Sequence, residues 1–406
     1  QLAGALCLLG SATPSLETLC NCQGKGHFSR TCLPRRVHDL PLPAMSCVDL
    51  RQDPGVRSGR HLISRALAEA LQAALDRREQ AILLLNRRGY SHFVFCPSCK
   101  HTLRCRNCDV TLTFHRSRTL RADRLPTVAG RHIEGGWAVC HYCLAQTLVP
   151  RDCPLCGTHM ALIGLGSQRL EEEITSRFPA ARVARVDSDS MAAEDYHTVL
   201  GDFAQGRIDV LAGTQMLAKG LHFPNVTVVG IVAADTSLYV PDFRANERTF
   251  QLICQVAGRA GRSMKPGRVF VQTFLPDQPA IRFALANDYE GFVQEETRHR
   301  QACNLPPFWR LTLMTLRGPS HERLQTAAQR WRERIDLTAA AHALTVKVRG
   351  PMPAAISRIQ RDHRVQIVVQ TPDSKTMQRL LAAMRAQVPI RPAVQVALDV
   401  DPVDLL

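Results

Sequence analysis

Apolar residues fall at every fourth position in HLISRALAEALQAALDRR, residues 61–78, at Ile63, Leu67, Leu71 and Leu75. That period puts them on one face of a helix, so an amphipathic helix is expected there. AILLLNRRG, residues 81–89, is apolar without alternation up to Asn86, the pattern of a strand covered on both faces. Cysteine-rich sequence interrupts from about 94 to 160, and then the alternation resumes. GLGSQRLEEEITSRF opens with Gly164 and Gly166, and Ser167 is expected to cap a helix. RVARVDSD, DVLAGTQ, VTVVGIVAAD and GRVFVQTF read as strands, and residues 244–260 as a helix. Strands alternating with helices predict an α/β architecture, a parallel sheet with helices on both faces. At the start of the chain, the apolar run Leu2–Leu9 reads as a core strand that delivers the small polar turn Gly10-Ser11-Ala12-Thr13.

From about residue 300 the pattern changes. NLPPF, residues 304–308, breaks the chain with two prolines. A strand (Leu311–Leu316), a helix (His321–Ala341), strands at Thr345–Val348 and Val365–Gln370, a helix (Ser374–Gln387) and a last strand over 394–402 are expected. These elements predict a C-terminal α+β domain, basic at Arg358, Arg361, His363 and Arg364.

Charge sharpens the functional question. The 406 residues hold 51 Lys and Arg against 36 Asp and Glu, a net charge of +15 that favours a polyanionic partner, most often nucleic acid. No apolar run is long enough to cross a bilayer, which argues against a membrane partner. Eight of the 15 cysteines stand in four CxxC pairs, a usage that suggests metal in a reducing cytosol rather than disulfides.

The four pairs are Cys96/Cys99, Cys105/Cys108, Cys140/Cys143 and Cys153/Cys156. Two CxxC turns close one tetrahedral four-thiolate site, so eight thiolates are enough for two zinc ions. A redox role needs only one pair beside a βαβ unit. Spacing alone leaves the pairing of the turns open. Cys20, Cys22, His27 and Cys32 nearly spell a further zinc knuckle, but one gap is a residue short, and the segment reads as a surface strand. Cys7, Cys47, Cys254 and Cys303 are expected to be core thiols.

QVAGRAGR, residues 255–262, carries the chemistry. Arg259 and Arg262 are three apart, on one face of a short helical segment. Two planar guanidinium forks suit phosphate oxygens and can neutralise charge on a transferring γ-phosphoryl group. Gly258 and Gly261 permit close approach, and Gln255, one turn earlier, could reach the same nucleotide. GTQMLAKGLHFPNV, residues 213–226, follows a strand: Gly213 and Thr214 can approach a phosphate, and Lys219 and His222 a nucleic-acid backbone.

Together these segments resemble the C-terminal part of the PriA family of primosomal replication-restart helicases (primosomal protein N′), within superfamily 2 of DNA helicases. The likeness runs through GSATPS, NRRGY, the four CxxC pairs, GLGSQRLEEEI, GTQMLAKGLHFPNV, DFRANER, QVAGRAGR, LPPF and LDVDP. It implies an ATP-dependent 3′-to-5′ DNA helicase that acts at stalled forks, with ATP and Mg as substrate and cofactor. It implies that Ser11, Ala12 and Thr13 couple ATP turnover to DNA movement and that Arg259 and Arg262 are arginine fingers. It also implies nested zinc sites: Cys96, Cys99, Cys153 and Cys156 on one ion, and Cys105, Cys108, Cys140 and Cys143 on the other.

The implied domains are the last strands of helicase lobe 1 over 1–50, a RecA-like lobe 2 over 51–93 and 161–299, the zinc module over 94–160, and a fork-binding domain over 300–406. Implied partners are branched and single-stranded DNA, single-stranded-DNA-binding protein, and primosome and helicase-loading proteins. The implied setting is the bacterial cytoplasm, associated with the nucleoid. Two departures stand out. Residues 118–137 look inserted, and neither GxxxxGK[ST] nor DExH occurs in the chain, which opens on Gln1. The chain therefore reads as a C-terminal fragment, expected to be inactive as an ATPase alone. The alternative is a non-enzymatic, zinc-containing truncation that binds DNA and partners.

Overall fold

The computed structural model describes residues 6–23, 28–33, 42–57, 60–85, 93–95, 101, 103, 105–106, 112–116, 132–139, 145–163, 167–186, 193–214, 223–239, 242–260, 265–386 and 394–405. In chain order the elements begin with α1 (Leu16–Gln23), β1 (Ala44–Asp49), α2 (Pro54–Arg57), α3 (Arg65–Asp76) and β2 (Gln80–Leu85). The cysteine-rich region supplies β3 (Phe93–Phe95), β4 (Thr113–Arg116), β5 (His132–Val139), β6 (Gln146–Pro150) and β7 (Ala161–Ile163). Then follow α4 (Ser167–Arg177), β8 (Val183–Val186), α5 (Ala193–Ala204), β9 (Val210–Gly213), β10 (Val226–Val232), α6 (Ala245–Ala257) and β11 (Arg268–Thr273). The chain continues through α7 (Pro279–Leu285), α8 (Tyr289–Ala302), β12 (Arg310–Gly318), α9 (His321–Ala341), β13 (Lys347–Ile359), β14 (Asp362–Thr371), α10 (Ser374–Ala386) and β15 (Gln395–Val400).

The chain divides into two units. The first holds residues 1–88, 170–240 and 244–299. Its sheet has the order β1-β11-β10-β2-β9-β8, and every pairing is parallel. Strand residues alternate between two cores. Ile82, Leu84, Leu211, Val229, Ile231, Val269 and Val271 face a core that includes Leu16 of α1, Phe203 of α5 and Phe250 of α6. Ala81, Leu83, Val210, Ala212, Val228 and Phe270 face Leu67 and Leu71 of α3 and Leu170 and Ile174 of α4. Helices on both faces are what the unbroken apolar strands require.

Gly230 is essential to this packing. A Cβ there would lie 2.5 Å from Leu83 Cδ2 and 2.8 Å from Leu67 Cδ2, so α3 can sit this close only over glycine. Gln272, fully buried on β11, accepts from Ser64 N–H at 2.8 Å and donates to the Leu62 carbonyl at 2.8 Å. Ser64 caps α3, so the helix begins at Arg65, and Ile63, expected inside it, is buried just before it.

Several expectations change here. Residues 6–10 form no strand, and Leu6, Leu8 and Leu9 are exposed. Residues 44–49, expected to end lobe 1, pair with β11 as an edge strand of the same sheet as β2 and β10. Cys20 and Cys22 lie in α1, a helix rather than a strand. Cys7 and Cys47 are exposed rather than core thiols, Cys47 because it sits on the edge strand; Cys254 and Cys303 are half-buried. Ser167 is the first residue of α4 rather than its cap.

The second unit holds residues 89–169, 241–243 and 300–406. The cysteine-rich region falls in this unit together with the C-terminal domain. Its strands form an antiparallel sheet of order β6-β5-β4-β3-β7. The C-terminal sheet is also antiparallel, of order β13-β14-β12-β15. Met314, Leu316, Val365 and Ile367 meet Leu324 and Ala328 of α9 and Leu380 of α10 in its core. The strand expected at Thr345–Val348 extends to Ile359, because β13 and β14 form one long hairpin. No helix among the described residues is long and apolar enough to cross a membrane.

Candidate functional site

The turn after the exposed start is built locally. Ser15 caps α1, with its hydroxyl accepting from Thr18 N–H at 3.2 Å and its carbonyl accepting from Leu19 N–H at 2.9 Å. Ser11 Oγ accepts from Thr13 N–H at 3.1 Å and so folds the SAT turn on itself. Ser11 and Ala12 are exposed, whereas Thr13 is buried.

This turn is held against α6. Leu16 N–H donates to Glu247 Oε1 at 2.9 Å, and Gln251 Nε2 donates to the Thr13 carbonyl at 3.1 Å. Arg244 Nε donates to Glu17 Oε1 at 3.0 Å, and the Tyr289 hydroxyl to the Pro14 carbonyl at 2.6 Å. Burial pushes the Tyr289 phenol well above its ordinary range, so it remains a donor.

At its other end α6 carries Gln255, Gly258 and Arg259. Gln255 is exposed and Arg259 half-buried; Arg259 Nε donates to the Gln255 main-chain carbonyl at 3.3 Å. Gly258 has an ordinary helical φ of −62°, and a Cβ there would make only ordinary contacts at 3.4 and 3.5 Å. Nothing in the described surroundings demands glycine at that point. Arg262 lies outside the described residues.

Thus the structure holds Thr13, but not Ser11 or Ala12, directly against α6, which carries Gln255 near its C-terminus with Gly258 and Arg259 just beyond. Gly213 and Thr214 stand at the end of β9, where Thr214 N–H donates to the Val186 carbonyl of β8 at 3.2 Å. Lys219 and His222 lie outside the described residues.

Beyond β10, Asp235 is 3 % exposed and its Oδ1 has no hydrogen-bond partner among the described residues. Burial pushes its carboxyl above the usual range, against hydrogen bonds from its own backbone, Phe274 N–H and the Thr273 hydroxyl. The sequence reading missed Asp235, and also Glu247 and Gln251. For the latter two a signal existed: Glu247, Gln251 and Gln255 recur every four residues along α6.

In the second unit, Arg358, Arg361 and Arg364 gather at the tip of the β13–β14 hairpin. Ile359 pairs with Asp362 across a two-residue turn, and both turn residues, Gln360 (φ 52°) and Arg361 (φ 72°), have left-handed backbone. Arg361 is exposed at the turn. Arg358 donates to the Arg106 carbonyl and Arg364 to the Ile356 carbonyl, each at 3.4 Å.

Cys153 and Cys156 share a tight turn. Gly157 N–H donates to the Cys153 carbonyl at 2.9 Å, Gly157 has φ +72°, and Leu155 N–H points to Cys153 Sγ at 3.4 Å. Two cysteines on one tight turn can both reach a single ion, the arrangement of a CxxC metal turn. Cys105 is buried. Cys96, Cys99, Cys108, Cys140 and Cys143 lie outside the described residues, as does most of the 118–137 insertion. Among the described residues no group of three or more His, Cys, Asp or Glu side chains could hold a metal ion.

Comparison with known proteins decides the family. "Primosomal protein N C-terminal domain" matches residues 301–403, and "Helicase conserved C-terminal domain" matches 159–264. The replication restart protein PriA of Bacillus subtilis is 40% identical over 377 residues, covering 92% of this chain and 44% of the relative. That of Haemophilus influenzae is 36% identical, covering 98% of this chain and 52% of the relative. The chain belongs to the PriA family. It spans about half the length of the PriA relatives it matches. Among solved structures, the Pyrococcus furiosus Hef helicase domain is 17% identical with a TM-score of 0.23 over 51% of this chain and 25% of that one, too slight a likeness to carry an argument.

Proposed function

We propose that this chain supplies the second half of the nucleotide cleft and the DNA-binding end of an ATP-dependent 3′-to-5′ helicase that acts in replication restart. The observation that supports it most is the fastening of the Ser11–Thr13 turn to α6, the helix that ends two residues before Arg259. In this reading Arg259 and Arg262 neutralise charge on a transferring γ-phosphoryl group. Gln255, Gly258, Gly213 and Thr214 border the nucleotide, and Ser11, Ala12 and Thr13 relay its state. ATP with Mg supplies the phosphoryl group; this sequence holds no GxxxxGK[ST] or DExH motif to bind it. The chain alone is therefore inactive as an ATPase.

Lys219, His222, Arg358, Arg361 and Arg364 contact branched or single-stranded DNA, an assignment in keeping with the net charge of +15. Cys96, Cys99, Cys153 and Cys156 hold one zinc ion, and Cys105, Cys108, Cys140 and Cys143 a second. The turn at Cys153–Gly157 supports this. Zinc bound there staples the cysteine-rich segment, a structural role. Primosome and helicase-loading proteins and single-stranded-DNA-binding protein are the partners in this reading.

The test is fork-stimulated ATP hydrolysis by this chain alone, beside the chain joined to a lobe carrying both missing motifs. Silence from the first and turnover by the second, abolished by R259A, is the expected result. Turnover by the chain alone would overturn the reading.

A further inference from the structure

Glu247 makes an unusual connection. It is 3 % exposed and lies in the first turn of α6, and its Oε1 accepts from Leu16 N–H, the first residue of α1. One buried carboxylate therefore sits at two helix N-termini, where unpaired N–H groups and aligned peptide dipoles both favour negative charge. Gln251, one turn on, donates to the Thr13 carbonyl at 3.1 Å and reaches Glu247 Oε1 at 3.4 Å. One further turn along is Gln255, whose carbonyl receives Arg259 Nε. These residues form a single polar row along α6, from the SAT turn to the arginine.

We propose that Glu247 and Gln251 are positioning residues that latch the 13–16 segment to α6, so that the SAT turn and Arg259 move as one body. The proposal rests on the helicase reading above for its consequence, though not for its geometry. The latch grips only backbone of the segment: the Thr13 and Pro14 carbonyls and the Leu16 N–H. It therefore fixes the path of the segment without engaging the Thr13 hydroxyl, while Ser15 caps α1 and Leu16 packs into the core. Thr13 is 6 % exposed, yet its Oγ1 has no hydrogen-bond partner among the described residues. A buried donor left unmatched is costly. The latch thus holds in readiness a hydroxyl that a second lobe or a bound ligand could engage.

Two measurements test this. The first is amide hydrogen exchange across residues 11–19 in the whole chain, comparing wild type with E247A and Q251L. Loss of a hydrogen bond to a charged group should speed exchange at Leu16 by roughly ten- to a hundredfold in E247A. E247Q, which keeps an acceptor oxygen, should restore most of the protection. The second uses the chain joined to a motif-bearing lobe and compares base pairs separated per ATP hydrolysed. Q251L should lower this ratio about tenfold, more than it lowers hydrolysis itself, whereas a residue that merely supports the fold would lower both rates together. Unchanged exchange at Leu16 in E247A, or an unchanged ratio in Q251L, would overturn the latch. If the unmutated joined protein does not hydrolyse ATP, the helicase reading fails, and the exchange result judges the latch by itself. If E247A does not fold, Q251L carries both measurements, with exchange followed across residues 13–16.

Discussion

Replacing Arg361 separates charge from backbone at the hairpin tip. Arg361 has φ 72°, a conformation that costs an L-residue about 1–2 kcal/mol and glycine almost nothing. R361G therefore removes one guanidinium and relieves the turn, whereas R361A removes the same charge and keeps the strain. If Arg361 meets one phosphate of duplex DNA, its loss should lower the slope of log affinity against log salt by about 0.9. Over a fourfold rise in salt, wild type should then lose roughly 3.5-fold more affinity than R361G. Fluorescence anisotropy with a forked DNA, titrated from about 50 to 200 mM salt, reads this directly. R361A should match R361G in slope but melt at a lower temperature, and R361K should keep the wild-type slope. A wild-type slope in R361G would refute the phosphate contact, and R361K falling with R361G would show that charge is not what the tip provides.

Asp235 gives a pH signature. Its folded-state value lies above the ordinary 3.8, so the stability it contributes is present below that value and is lost as pH rises through the raised one. D235N should therefore gain stability relative to wild type as pH rises from acid to neutral, read from paired urea midpoints; a constant difference across that range would refute the buried charge. C153S should release about one zinc ion per chain from the purified protein and leave the other in place, measured by elemental analysis; unchanged metal content would remove Cys153 from the ligands. G230A should destabilise the first unit by about 1–3 kcal/mol through overpacking against Leu83 and Leu67, and by less in an L83V background. Strict additivity in that cycle would mean that the close approach is not real.

Much of the architecture was legible because burial writes itself into local pattern. The apolar run at 81–85 became a central strand, and the helix over His321–Ala341 stands as expected. β1 was not legible as part of this sheet. An edge strand is covered less fully, and Ala44–Asp49 reads as a mixed segment that only its pairing with β11 gives meaning. The helix Ala193–Ala204 was missed although Tyr196, Val199, Leu200 and Phe203 recur at helical spacing, and the fold packs that face against the sheet. The reach of the β13–β14 hairpin depended on a turn with two left-handed residues that are neither glycine nor asparagine, a choice local propensity argues against.

The site divides along the same line. Sequence alone determined which residue types are present and at what spacing: two arginines three apart after a helix, a Ser-Ala-Thr turn before proline, and four CxxC pairs. These are statements about chemistry carried within a few residues, where chain geometry fixes proximity. What faces what across 230 residues is a tertiary matter. Only the fold placed Leu16 N–H on Glu247 and the Thr13 carbonyl on Gln251, 231 and 238 positions apart. Only burial turned Asp235 from an ordinary acid into one held above its usual range. Hydrogen bonds of that kind leave no periodic trace, because each needs a single polar atom at one point in a packed interior, and the chain between the partners is free to vary.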